Sequence, residues 1–196
     1  MEYLTIKSNK KNLIKGPLII KPNIFCDNRG YFFESWNFSE FNKIISRQVN
    51  FVQDNHSESK LGVLRGLHYQ LNPKAQAKLV RCTRGEIFDV IVDLRKASDT
   101  YGEWSSIILN EKDKLQFWIP EGFAHGFVSI KDFSEVQYKT NEYWDKDLER
   151  SLSWKDSKLK INWPLIDSNK TLGLIINDKD SIAPSLKEIE KYGELF

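Results

Sequence analysis

Short runs rich in β-branched and aromatic residues follow one another through the middle of the chain: LVRC, EIFDVIVDL, WSSIIL, LQFWI, FAHGFVSI and EVQYKTNEYW. Turn signals such as NP, RGE, NEKD and PEG stand between them. Short strands broken this regularly by Gly, Pro or Asn predict a mainly β fold of the antiparallel sandwich or jelly-roll kind. Within EIFDVIVDL, alternation puts Phe88, Val90, Val92 and Leu94 on one face and Ile87, Asp89, Ile91 and Asp93 on the other. Two acids on one face of so apolar a strand require partners, and a polar barrel lumen would supply them.

Helix is scarce. NFSEFNKII is expected to start on Asn37 as cap, with Glu40 three residues on and Phe38, Phe41 and Ile45 along one stripe. Pro184 precedes SLKEIEKYGELF, which predicts a short terminal helix stopped at Gly193. The least regular stretch, Trp163 to Lys179, reads as a surface crossing that delivers Asp180. With 196 residues, 40% hydrophobic and 13% aromatic, the chain can bury one sizeable core. It is read as a single domain over 1–196, with a core from about 21 to 184 and a helical tail over 185–196.

Lys and Arg total 29 against 27 Asp and Glu, a net charge of +2 that makes no general case for nucleic acid or membrane. Cys26 and Cys82 form neither a disulfide framework nor a CxxC pair. The segment MEYLTIKSNKKNLIKG has no apolar core of signal-peptide length, so a cytoplasmic location is expected.

Of the three histidines, His68 sits in VLRGLHYQ beside Arg65, and His125 sits in PEGFAHGF after Pro120 and Gly122. Arg65 and His68, three apart across Gly66, could aim a fixed positive charge and a proton acceptor into one cleft, which suits an anionic substrate and proton transfer. Such a base works best when a carboxylate accepts its other ring proton. Asp180 or Asp89 could do so, and spacing leaves both open. Tyr138 could return the proton from the opposite face, and Lys78 could stabilise an oxyanion. Taken singly, these residues have plainer readings. His125 between Phe123 and Phe127 fits a satisfied core histidine, Tyr138 a core aromatic and His56 a surface-loop residue. Lys78, Arg29 and Glu34 fit solvated charges, and Gly66 and Gly122 fit turn or bulge positions.

A metal-binding cupin barrel offers two histidines one residue apart plus a glutamate, then a P-x-G-x-x-H motif. Pro120, Gly122 and His125 fit the second motif, but the first reads His68, Tyr69, Gln70 and lacks an imidazole. That donor set is too thin for a divalent ion, so no metal is expected.

The blocks DNRGYFFESWN, FVQDNHSESKLGVLRGLHYQ, AQAKLVRCTRGEIFDVIVDLRK, IPEGFAHGF, YKTNEYW and NDKDSIAP, in that order, resemble the dTDP-4-dehydrorhamnose 3,5-epimerase family from about Lys21 to Pro184. The resemblance implies a cupin-type jelly roll (double-stranded β-helix), a homodimer with strand exchange, and no metal or organic cofactor. It implies a dTDP-4-keto-6-deoxyhexose substrate, inverted at C3 and C5 on the way to L-rhamnose and polysaccharide. His68 matches the family's proton acceptor, Asp180 its paired carboxylate, Tyr138 the proton donor and Lys78 the lysine near the C4 oxygen. Substrate-binding positions fall on Arg29, Glu34, Gln53, Asp54, Asn55, Arg65, Asp89, His125, Trp144, Glu149 and Lys179.

Two departures are visible. Trp144 stands where the family commonly has a tyrosine that stacks on thymine, and NDKD replaces a serine-led version of the Asp180 motif. Other readings are an epimerase acting at C3 or C5 alone, a non-catalytic sugar-nucleotide barrel and a metal-dependent cupin.

Overall fold

The computed structural model describes residues 1–164 and 173–196. The described elements begin with β1 (Glu2–Lys7), β2 (Leu13–Lys21), the short hairpin β3 (Phe25–Asp27) and β4 (Gly30–Phe32), and α1 (Phe38–Ile45). Then come β5 (Gln53–Ser59), β6 (Leu64–Gln70), β7 (Lys78–Arg84), β8 (Glu86–Asp93), β9 (Trp104–Asn110) and β10 (Gln116–Ile119). The series closes with β11 (Phe123–Ser129), β12 (Ser134–Thr140), β13 (Glu149–Ser151), α2 (Asp178–Ser181) and α3 (Leu186–Lys191). Two antiparallel sheets make the jelly roll. One runs β1-β2-β10-β7-β12-β5 and the other β13-β6-β11-β8-β9, while β3 and β4 pair only with each other.

The alternation read in β8 is realised. Val90, Val92 and Leu94 pack with Leu67, Tyr69, Val128, Leu152 and Ile189 on the outside of the five-stranded sheet, under the carboxyl-terminal chain. Ile87 and Ile91 face the space between the sheets with Val80, Phe117, Phe123 and Val136. Because both faces are covered, β8 reads as a nearly unbroken apolar run. Its two acids are paired as expected. Asp89 meets His125, and Asp93 accepts hydrogen bonds from Arg95, Ser98 and Thr100.

The outside of the six-stranded sheet is covered by α1, whose Phe41 packs edge-on to Trp118 and beside Trp36. Asn37 caps this helix by accepting from the Glu40 amide, as the sequence predicts, although Phe38 points largely outward. Glu40 pairs with Lys43 rather than reaching back to the cap. At the other end Ser185 and Glu188 close a capping box on α3, and Gly193 takes the left-handed conformation that stops it.

Several strands were not visible as apolar runs. β5 is QDNHSES, an edge strand with alternating exposure, and its polarity hides it. His56 therefore lies on a strand, and not in the loop expected for it. EVQYKTNEYW is strand only to Thr140. The crossing expected from Trp163 to Lys179 lies partly outside the described residues. Its described end makes a parallel bridge between Ile175 and Val63 and leads into α2.

Gly66 sets the path of β6. Its φ is +115°, and a Cβ there would fall 2.7 Å from the Gly126 Cα and 2.8 Å from the His125 carbonyl oxygen. The ladder between β11 and β6 shifts register at this point, a bulge that only glycine admits so close to the neighbouring backbone.

Candidate active site

Beyond the bulge, β6 presents His68 directly opposite His125 of β11 in the five-stranded sheet. From the six-stranded sheet come Lys78 of β7, Tyr138 of β12 and Asn55, the cross-strand partner of Tyr138 on β5. These five side chains and Arg65 line one cleft of about 780 Å³, its solvent mouth included. His68 and Tyr138 therefore reach the same space from opposing sheets.

The choice between Asp180 and Asp89 as the partner of His68 is resolved by geometry. His68 Nε2 lies 2.6 Å from Asp180 Oδ1, and the Gly66 amide donates to the other carboxylate oxygen at 3.0 Å. Burial raises the Asp180 pKa, but these hydrogen bonds outweigh it and hold the carboxyl below its ordinary range. An ionised Asp180 orients the ring and leaves Nδ1 as the second nitrogen for chemistry. Asp180 is placed by α2, where Asn177 accepts from the Asp180 amide at 2.7 Å. Asparagine and serine cap helices equally well, so NDKD does what a serine-led motif would do.

His125 makes a second, separate pair, its Nε2 lying 3.0 Å from Asp89. Both groups are buried, and burial pushes the His125 pKa down and the Asp89 pKa up. Lys78 is also buried, which lowers its pKa to about 8 against the opposing pull of Asp89 and Glu149. Its ammonium donates to the His68 carbonyl at 3.2 Å, bridging the two sheets. Burial raises the Tyr138 pKa, and the charge of Glu149 raises it further, so the phenol keeps its proton. An anchored imidazole, a neutral phenol and a buried ammonium can together move protons on a carbon acid and hold the resulting oxyanion.

The remaining expected positions divide. Gln53 donates to Asn55 at 2.9 Å and accepts from the Trp144 amide at 3.0 Å, so both glutamine contacts lie at the edge of the cleft. Trp144 is largely exposed. Glu149 and Lys179 form an ion pair at 2.6 Å. Arg65 is steadied by Ser59 and the Glu58 carbonyl. Asp54 is turned by the alternation along β5 to the other face of the sheet, where it pairs with Lys139. Arg29 and Glu34 also lie outside the cleft formed by one chain. Arg29 is 86% exposed on the β3–β4 turn with Asp27, and Glu34 meets Asn37.

Two residues lining the site were missed, and a third that lies behind it. Asn177 lines the cleft and was signalled by its cap spacing to Asp180. Ser57 also lines it, with a buried Oγ that has no hydrogen-bond partner among the described residues, and nothing in the sequence marks it. Gln70, noted only as the place of a missing imidazole, is 2% exposed and fully engaged. Among the described residues no group of three or more His, Cys, Asp or Glu is arranged to hold a metal ion.

Comparison with known proteins adds four findings. The family model described as dTDP-4-dehydrorhamnose 3,5-epimerase matches residues 11–188. A Shigella flexneri protein of that name is 50% identical over 170 residues, 87% of this chain and 91% of that protein. A crystal structure of a dTDP-6-deoxy-D-glucose-3,5-epimerase from Legionella pneumophila in complex with dTDP-4-keto-L-rhamnose superposes with a TM-score of 0.88. It is 39% identical, and the match covers 99% of this chain and 97% of that one. A 3'-monoepimerase from Streptomyces bikiniensis in complex with dTDP-quinovose matches at a TM-score of 0.85 and 30% identity, over 93% of this chain and 89% of that one.

Proposed function

The chain belongs to the dTDP-4-dehydrorhamnose 3,5-epimerase family, and on that premise we propose that His68 and Tyr138 exchange protons on opposite faces of a 4-keto sugar held between the sheets. The activity is inversion of C3 and C5 of dTDP-4-dehydro-6-deoxy-D-glucose to dTDP-4-dehydro-L-rhamnose. The reading is carried by one observation: an imidazole fixed by a buried carboxylate and a neutral phenol line a single cleft from opposing sheets.

The chemistry needs no cofactor. The C4 ketone acidifies the hydrogens on C3 and C5, because the electrons left by either proton can move onto the carbonyl oxygen. His68 Nδ1 takes the proton, and Asp180 stabilises the imidazolium across Nε2. Lys78 balances the enolate oxygen, an interaction that gains strength because the ammonium is buried. Tyr138 gives its proton to the opposite face at C5 and is reprotonated from solvent, at C3 solvent serves as donor, and His68 releases each abstracted proton to solvent before the next abstraction. Arg29 and Arg65 hold the pyrophosphate, Trp144 stacks on the base, and Gln53 and Asn55 add directional hydrogen bonds. Glu34, Glu149 and Lys179 complete the binding set, with Asp89 and His125 as its buried floor. Anchoring the inert nucleotide orients the sugar for both inversions.

Arg29 and Glu34 serve this role in a homodimer with strand exchange. Their hairpin exposes Phe25, Tyr31 and Phe32, and β5 offers an open sheet edge beside the cleft. Apolar hairpins and free edges are surfaces that a second copy covers. The chain acts as one domain in the cytoplasm, and no described helix is long and apolar enough to cross a membrane. Likeness to the 3'-monoepimerase keeps a single-centre reading in view. Product stereochemistry decides. Proton NMR after incubation with the dTDP-4-keto sugar is expected to show inversion at both carbons, and a product inverted at one carbon would replace this assignment.

A further inference from the structure

Trp144 belongs to a loop whose backbone is caught by two glutamine side chains. Gln70 Nε2 donates to the Tyr143 carbonyl at 3.0 Å, and Gln70 Oε1 accepts from the Asp145 amide at 2.9 Å. The same Nε2 donates to the Lys74 carbonyl at 2.5 Å. Between the two captured groups, the Trp144 amide donates to Gln53 Oε1. The Lys74–Asp145 ion pair at 2.8 Å adds little, since its lysine is open to water. Gln70 is 2% exposed, so its carboxamide works without competing water.

Gln70 also lies two residues beyond His68 on the same strand, and alternation puts both side chains on the same face. We infer that Gln70 is a positioning residue that ties the strand bearing the proton acceptor to the loop bearing Trp144, thereby fixing the aromatic platform for the nucleobase. This rests on the reading of Trp144 as that platform. A long planar amide is needed because one group must donate to a carbonyl and accept from an amide two residues on. A carboxylate or an imidazole at this position satisfies only part of that demand. Locking the platform before binding saves the ordering cost at the moment of association, so the gain appears in affinity for the base rather than in the chemical step.

The test is competitive inhibition by dTDP and, separately, by inorganic pyrophosphate, measured on Gln70→Met, Trp144→Ala and the double variant. Gln70→Met keeps the volume and removes the amide. It is expected to raise the dTDP inhibition constant and the substrate KM at least tenfold, to leave kcat within threefold, and to leave pyrophosphate inhibition unchanged. In the Trp144→Ala background the same change is expected to add less than twofold. An unchanged dTDP constant in Gln70→Met, with Trp144→Ala weakened, overturns the positioning role while the platform stands. An unchanged dTDP constant in Trp144→Ala overturns the platform itself. Equal weakening of dTDP and pyrophosphate would show a general distortion of the site and also overturn the inference. If Gln70→Met does not fold, Gln70→Glu, which keeps the acceptor for Asp145, is read by the same pair of inhibitors and the same outcomes.

Discussion

His68 and His125 stand directly opposite each other on β6 and β11, yet each gives its Nε2 to a different carboxylate, Asp180 at 2.6 Å and Asp89 at 3.0 Å. The His68 side chain is 28% exposed and opens on the cleft, whereas His125 and Asp89 are enclosed and driven towards their neutral forms. The two pairs therefore differ in what loss of charge should do. Asp180→Asn removes the ion that steadies the imidazolium, so kcat should fall by about 10²–10⁴-fold. Asp89→Asn keeps an acceptor for a neutral His125 and should cost less than about tenfold. Steady-state kinetics of the two variants checks both.

Lys78 is expected to set the alkaline limb. Its cation is the working form and its pKa lies at about 8, so kcat/KM should decline above that pH. The sign for stability is opposite. Between about 8 and the ordinary lysine value the unfolded chain binds a proton that the folded chain has released, so stability rises with pH across that window. Below it the folded protein carries the full cost of a buried ammonium. Lys78→Met should then abolish turnover while raising unfolding free energy at pH 7 by on the order of 2–4 kcal/mol. Urea titrations at pH 7 and pH 10 should show that advantage shrinking at the higher pH.

Tyr138→Phe leaves the base intact and removes the donor. Loss of C5 hydrogen to solvent should persist, while completed inversion at C5 should fall by at least about 10²-fold. Equal loss of exchange and inversion would contradict its role as donor.

Asn177 tests whether the cap on α2 serves catalysis. Asn177→Ala frees the Asp180 amide and should cost about 1 kcal/mol of stability, with a loss in kcat because the carboxylate is no longer held against His68. Asn177→Ser should restore both, as judged by thermal unfolding and turnover.

Strand exchange can be read by mixing variants. Arg29→Ala and His68→Ala subunits, each impaired alone, should form heterodimers in which one site has both residues intact. Recovery of the wild-type KM on mixing is expected, and an unchanged KM would place Arg29 in its own subunit's site.

How much of this was legible depended on whether periodicity or distance carried the information. β8 was readable because its two faces are both apolar apart from Asp89 and Asp93, and α1 because Asn37 and Glu40 mark its start. β5 was not, since an exposed edge strand needs no apolar residues, and with the strand unseen Asp54 could not be distinguished from the inward-facing Gln53 and Asn55. The partner of His68 lies 112 residues away, a distance no local pattern spans, so spacing left two acids open, the family resemblance pointed to Asp180, and the fold joins β6 to α2 there. Gln70 looked like the absence of a ligand because its role is visible only in the loop it holds.

The most direct measurement is proton NMR of the reaction in heavy water with wild-type protein and His68→Ala. The wild type should place deuterium at both C3 and C5 of the product, and His68→Ala should place it at neither. Deuterium entering either carbon at near the wild-type rate without the His68 imidazole would contradict its assignment as the shared base.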